Sequence, residues 1–261
     1  MGMLLTWRPR PPLDSTVDCI WHHEGRIPDI PGRERVLPNG RFQMVVNLAA
    51  GAAAVSGLRS AHVVVKPAHT TCVMGVVWRP GAAGLFFPGS ALEFSDRSVP
   101  LEVVWGVRAS RLVDRLREEG TARRRLGILQ AMLVDVWGER DAPHGALHPA
   151  VTYALLAFHQ APRVSTVTDV SRESGWSRRW LTRAFAESVG MTPKRYCRLL
   201  RFQHVVREVA AGRRVEWADL AASSGFSDQA HLVHEFRSFS GLTPEQFLRA
   251  ERPFANHVRV D

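Results

Sequence analysis

One pattern occurs twice in the last third of the chain. The first copy runs Gly175-Trp176-Ser177, Leu181, Phe185, Gly190, Thr192-Pro193 and Tyr196. The second runs Gly225-Phe226-Ser227, Leu232, Phe236, Gly241, Thr243-Pro244 and Phe247. Matched positions are 51 residues apart from the leucine onward and 50 apart in the Gly-aromatic-Ser triplet. The second copy has therefore gained one residue after its serine. Two copies are too few for a solenoid, which needs about three. A small helical module present twice on a basic chain points to nucleic acid.

Each copy predicts two helices around a tight turn. In the second, residues 215–224 read as a short helix with Trp217 or Ala218, Leu220, Ala221 and Ser224 inward. Gly225 sits where a helix end favours positive φ. Phe226 anchors the turn, and Ser227 is expected to cap the next helix. Leu232, Val233 and Phe236 recur at helical spacing. Gly241 ends that helix, and Thr243-Pro244 starts another. The first copy repeats this, starting at Ser165 or Thr166, with Val167, Val170, Ser174, Leu181, Ala184 and Phe185 inward. From Pro193 to about Ala211 runs one long helix, roughly 28 Å at 1.5 Å per residue. That length sets two readers about one DNA turn apart, ~34 Å.

Residues 150–252 resemble the DNA-binding domain of AraC-type (AraC/XylS) transcription regulators, most closely in Gly225-Phe226-Ser227-Asp228-Gln229-Ala230-His231-Leu232 and Gly241-Leu242-Thr243-Pro244. The resemblance implies two recognition helices reading adjacent major grooves of double-stranded DNA. In the first, Arg178, Arg179, Thr182 and Arg183 are the candidate contacts. Arginine donates bidentately to guanine, and threonine meets thymine methyls. Trp180 is expected to face either these residues or the preceding helix. In the second, the candidates are Gln229, Ala230, His231 and His234, with Asp228 capping the helix or holding Arg237. The family often has arginine where this chain has His234, and a neutral histidine is a weaker contact.

Charge reinforces the asymmetry. Residues 163–214 hold 12 Lys/Arg against 4 Asp/Glu, whereas 215–250 hold 2 against 5. Phosphate contacts supply much of DNA affinity. The first repeat should dominate binding, while the second adds specificity or meets a neighbour such as RNA polymerase. The net charge of +9 suits a nucleic-acid partner.

Length divides the chain into two domains. Residues 1–14 read as a flexible arm without a signal-peptide stretch. Residues 15–107 read as a small β-barrel or sandwich with strands near Val17–Trp21, Arg35–Leu37, Phe42–Leu48, Ala53–Val55, His62–Val65 and Cys72–Trp78. Pro38-Asn39-Gly40 suggests a hairpin joining two of them. A helical extension follows over 108–138, then a linker over 139–149 and, beyond the DNA-binding domain, a tail over 253–261. The fold class is thus α+β, with a β-rich N-terminal half and an all-α C-terminal one.

Leu37-Pro38-Asn39-Gly40, Val77 to Ala83, Phe87-Pro88 and Val99 to Gly106 resemble the N-terminal domain that precedes AraC-type domains in many bacterial regulators. In that family such domains bind a small-molecule effector or form a homodimer. Trp21, Phe42, Met44 and Trp78 are the candidate ligand-lining residues, with His22, Phe86 and Phe87 beside them. Ordinary core packing is the competing reading for each. The apolar stripe at Leu112, Leu116, Leu126, Leu129 and Leu133 docks on the barrel or forms a dimer seam.

No cofactor, metal or catalytic residue is expected, and the chain is read as a non-enzyme. His22, His23, Glu24, His62 and His69 lack the His-x-His pair of barrel metal enzymes, and His22 and His23 should face opposite ways on a strand. No serine or cysteine shows a base partner, and no phosphate-cradling glycine loop is present. Cys19, Cys72 and Cys197 fit a reducing cytoplasm. No run is long enough to span a membrane. A DNA-binding protein whose N-terminal domain only dimerises, and a barrel enzyme fused to a DNA-binding tail, are the alternatives.

Overall fold

A computed structural model describes residues 3–26, 33–66, 70–139, 147–161, 166–211, 216–252 and 256–260. Its N-terminal half is built on eight strands: β1 (Met3–Trp7), β2 (Val17–Arg26), β3 (Arg33–Val36), β4 (Gln43–Asn47), β5 (Ala52–Ser56), β6 (Val63–Val65), β7 (Thr70–Trp78) and β8 (Ser98–Pro100). Helices α1 (Leu101–Trp105), α2 (Val107–Glu118) and α3 (Ala122–Gly138) follow. The C-terminal half holds α4 (Pro149–Gln160), α5 (Val167–Ser174), α6 (Arg178–Val189), α7 (Pro193–Ala210), α8 (Trp217–Ser223), α9 (Gln229–Ser240) and α10 (Pro244–Arg249), and the chain closes with β9 (His257–Val260). This is the α+β arrangement the sequence predicts.

Six strands form an antiparallel sheet in the order β1-β2-β7-β4-β5-β8. Alternation drives its burial: Met44 and Val46 of β4, Ala53 and Val55 of β5, and Met74, Val76 and Trp78 of β7 all turn inward. Phe42, Trp78, Phe86, Phe87, Phe94 and Trp105 interlock at one end, with Phe87 stacked on Trp105 at 5.5 Å. Helices α2 and α3 bury Leu112, Leu116, Leu126, Leu129 and Leu133. The apolar stripe of 108–137 therefore packs inside the protein.

Two expectations fail here because strand pairing is settled by distant segments. The N-terminal arm is in part a strand: Met3–Trp7 pairs with β2, and Trp7 donates from Nε1 to Gln130 Oε1 of α3 at 3.2 Å. Residues 35–48 are no hairpin. β3 belongs to a second sheet, β6-β3-β9, while β4 pairs with β5 and β7. Asn39 and Gly40 turn the chain from one sheet to the other, with Asn39 Oδ1 accepting from the Arg41 amide and Gly40 at φ +70°. The hairpin of this region is β4–β5, closed around Asn47, whose Oδ1 accepts from Ala50 N.

The tail over 253–261 also changes character. His257–Val260 lies antiparallel to β3, with Arg35 opposite Val258. Val258 is fully buried, and His257 Nδ1 lies 2.8 Å from the buried Glu34 carboxylate. The C-terminal strand thus completes a sheet whose other strands come from the N-terminal half. Pro143 and Gly145 of the expected linker lie outside the described residues.

Candidate nucleic-acid interface

Each helical unit is punctuated by its own sequence. Thr166 caps α5 by accepting from Asp169 N, Gly175 ends it at φ 74°, and Ser177 caps α6 by accepting from Trp180 N. Gly190 ends α6 at φ 88°, a left-handed value that only glycine takes without strain. In the second unit the cap moves. Asp228, not Ser227, caps α9, its Oδ1 accepting from His231 N at 2.7 Å. The extra residue after the serine explains this, because it places Asp228 at the position Ser177 holds in the first copy. Ser227 Oγ instead lies 3.0 Å from His231 Nδ1. The capping bond from His231 N holds the Asp228 carboxyl below its ordinary range. Ser165 and Val215 lie outside the described residues.

The inner faces bury Leu181, Phe185 and Val189 of α6, and Leu232, Phe236 and Phe239 of α9. Helix α7 runs between the units, 18 residues long, roughly 27 Å. It presents Tyr196 to Phe185 and Phe202 to Phe236 and Phe239. Its arginines brace the second unit. Arg198 forks onto the buried Glu235 of α9, and Arg201 donates to Gly225 O at 2.8 Å while covering the Phe226 ring. Sequence reading missed these roles. The one available signal was Glu235, an acid set beside Phe236 in an otherwise apolar stripe.

What remains outward is the candidate interface. Arg178, Arg179 and Arg183 of α6 are exposed, with Thr182 half-buried beside them. Arg183 Nε donates to Glu187 Oε1 at 2.8 Å on the same exposed face. Trp180 stacks on Trp176 at 4.1 Å and meets His148 edge-on, so it belongs to the turn and not to the arginine face. On α9, Gln229, Ala230 and His234 are exposed, and His231 is half-buried against Phe226. Gln229, Ala230, Val233, His234 and Arg237 line a shallow depression.

The N-terminal half grips equivalent points of both units. Ser95 Oγ donates to Gly190 O, the residue that ends α6. Arg35 Nη1 donates to Ser240 O at 3.3 Å, and His62 N to Phe239 O at 2.7 Å, at the end of α9. Gln203 of α7 donates to Pro38 O. The two halves are therefore joined by direct contacts as well as through the chain near 139–149.

Of the expected ligand-lining residues, three lie together in the core and Trp21 stands apart. Phe42, Met44 and Trp78 are fully enclosed in the aromatic core, whereas Trp21 is half-buried on the sheet face over Gly75. A cleft of about 1190 Å³ opens elsewhere, between α2 and α3, lined by Phe86, Trp105, Met132, Arg108, Arg111 and Arg115. Near the N-terminal end of α3, the structure corrects the view that no cysteine has a base nearby. Cys72 Sγ lies 3.8 Å from His22 Nε2, and Glu24 joins them on the same face of β2 and β7. Burial, then the charge of Arg125, holds His22 below its ordinary range, and burial pushes the Cys72 thiol up. His23 turns to the other face, toward Thr71. His62 stands at the contact between the halves, and His69 lies outside the described residues.

Residues 170–250 match the family described as helix-turn-helix domain, and residues 5–100 match a domain of unknown function, DUF6597. An uncharacterised HTH-type transcriptional regulator of Staphylococcus aureus is 31% identical over 101 residues, 39% of this chain and 13% of that protein. Another from Bacillus subtilis is 36% identical over 78 residues, 30% of this chain and 27% of that protein. The chain thus spans well under a third of the length of these relatives. A solved transcriptional regulator from Chromobacterium violaceum, described as AraC-type, covers 38% of this chain and 89% of its own at 23% identity, with a TM-score of 0.36. No described helix is long and apolar enough to cross a membrane.

Proposed function

We propose that this chain, whose C-terminal region is a helix-turn-helix domain of the AraC type, regulates transcription by reading two adjacent major grooves of duplex DNA with α6 and α9. The observation that carries this is the arrangement of exposed helix faces. Both recognition helices start on a side-chain cap, end at a left-handed glycine and bury an apolar inner face, and one 18-residue helix, α7, runs between the two units. The residues for base readout are Arg178, Arg179, Thr182 and Arg183 on α6, and Gln229, Ala230, His231 and His234 on α9. Helix α6 carries most of the affinity because it presents arginine where α9 presents histidine.

Anisotropy titrations with labelled duplex test this. Arg179→Ala should weaken binding by about 1–3 kcal/mol if the guanidinium reads a base. Full affinity in that variant would overturn the assignment.

Control enters through the N-terminal half, whose contacts at Gly190 and at Ser240 reach both recognition helices. The α2–α3 cleft is the candidate place for a small-molecule effector, since it joins Phe86 and Trp105 to Arg111 and Arg115, with Arg108 paired to Glu139 at its edge. Phe42, Met44 and Trp78 would then act as packing in the core, with Trp21 on the sheet face over Gly75. A homodimer through this half, and contact of the less basic second unit with RNA polymerase, belong to the same proposal, as does work in the cytoplasm without any catalytic step. A thermal-shift screen tests effector control, because a ligand selective for the folded state raises apparent stability.

A further inference from the structure

We propose that His22, Glu24 and Cys72 form a binding site for a soft divalent cation of the Zn²⁺ class, with the Arg125 guanidinium standing where the ion would sit. One nitrogen of Arg125 is nearly equidistant from all three donors. Its Nη1 lies 3.2 Å from Cys72 Sγ, 3.4 Å from His22 Nε2 and 3.6 Å from Glu24 Oε2. The three donor atoms themselves all lie within 4.8 Å of one another. His22 Nε2 is 3.8 Å from the sulfur and 3.9 Å from the carboxylate oxygen. Tetrahedral bonds of about 2.0–2.3 Å put ligand atoms about 3.5 Å apart, so small side-chain shifts close the set.

The backbone builds this trio. Glu24 pairs directly with Cys72 across β2 and β7, and His22 stands one pleat away on the same face. His22 is fully buried, and its Nδ1 has no hydrogen-bond partner, so Nε2 is the ring atom engaged with the cluster. Glu24 is half exposed and gives the ion a way in from solvent. Sulfur, imidazole and carboxylate together match Zn²⁺ or Co²⁺ and not Mg²⁺ or Ca²⁺, which take oxygen. Three protein ligands leave one position for water.

Arg125 is held in place by a bond from its Nε to Leu116 O of α2 at 3.0 Å. A cation entering the trio must repel that guanidinium toward solvent, so ion binding and the α2–α3 junction are coupled. The site does not depend on the DNA-reading proposal, and its test involves no DNA.

The test titrates Co²⁺ into the full chain and follows thiolate-to-cobalt charge-transfer absorption, with Zn²⁺ as competitor. One equivalent of Co²⁺ is expected to produce the band, Zn²⁺ to abolish it, and Cys72→Ser to lose it while still folded by circular dichroism. Arg125→Gln removes the competing charge and is expected to tighten binding by on the order of tenfold, given that supporting groups change metal affinity by 10–100-fold. No band in either the native chain or Arg125→Gln, or a band that persists in Cys72→Ser, would overturn the site.

Discussion

Arg198 of α7 and Glu235 of α9 meet as a fork, Nε to Oε2 at 2.7 Å and Nη2 to Oε1 at 2.7 Å. The pair crosses between the spacing helix and the second recognition helix, and Glu235 is only 6% exposed. Breaking a buried pair leaves an uncompensated charge, which costs about 3–5 kcal/mol when both partners are enclosed. Arg198 is partly open to solvent, so the expected loss is smaller. Arg198→Ala should lower stability by about 2–3 kcal/mol in a denaturant melt. The double variant Arg198→Ala, Glu235→Gln should recover part of it, because no buried charge remains.

The outward arginines lead to a different measurement. Arg183→Ala should weaken duplex binding by about 1–3 kcal/mol and His234→Ala by clearly less. Glu187 competes with DNA for Arg183 through their 2.8 Å contact. Glu187→Gln should therefore tighten binding in an anisotropy titration at fixed salt. Equal losses for Arg183 and His234 would contradict the dominance of α6.

Strand β9 ties the end of the chain to its beginning. Deleting residues 257–261 removes the buried Val258 and takes His257 from the Glu34 carboxylate. A loss of about 2–4 kcal/mol is expected from the lost apolar burial and the stranded acid. At this chain length that corresponds to roughly 5–10 °C in Tm. An unchanged melting curve would show that β9 contributes nothing to the fold.

Acid should destabilise the protein through its desolvated histidines, His22, His23, His62 and His159, of which His62 and His159 stand outside the cysteine cluster. Burial, reinforced by Arg41 and Arg207, holds His159 below its ordinary range; burial and then Arg35 do the same for His62. In both cases the unfolded chain binds the proton more readily than the folded one. Stability is therefore highest above the unfolded value of about 6.5 and falls as pH drops through it, levelling only below the folded values. His159 Nε2 lies 2.8 Å from the buried Tyr196 hydroxyl, so His159→Gln keeps a polar partner there. Thermal melts between pH 7.5 and 5.5 should show a shallower pH slope in this variant.

The helical punctuation was legible in the chain because it is local. Gly175, Gly190 and Gly241 each end a helix at positive φ, and Thr166, Ser177 and Thr243 each cap one within three residues. The one-residue offset between repeats is also visible in the chain, and of the two capping candidates the sequence offers for α9, Ser227 and Asp228, it is Asp228 that takes the cap. What escaped depends on partners far away in sequence. The partners of β3 are β6 and the C-terminal β9, so local turn chemistry at Pro38-Asn39-Gly40 could not reveal them. Arg198 and Arg201 count only as part of the basic charge of 163–214 until α7 is placed against α9 and Gly225. The His22, Glu24, Cys72 and Arg125 group draws on β2, β7 and α3, and no spacing rule on one segment would assemble it.

The most direct test of tandem readout is selection of bound sequences from a random duplex pool, using the full chain at low salt. Two short motifs about one helical turn apart are expected, with the motif lost in Arg183→Ala assigned to α6. Failure to enrich any sequence would contradict the account of α6 and α9 as paired readers of DNA.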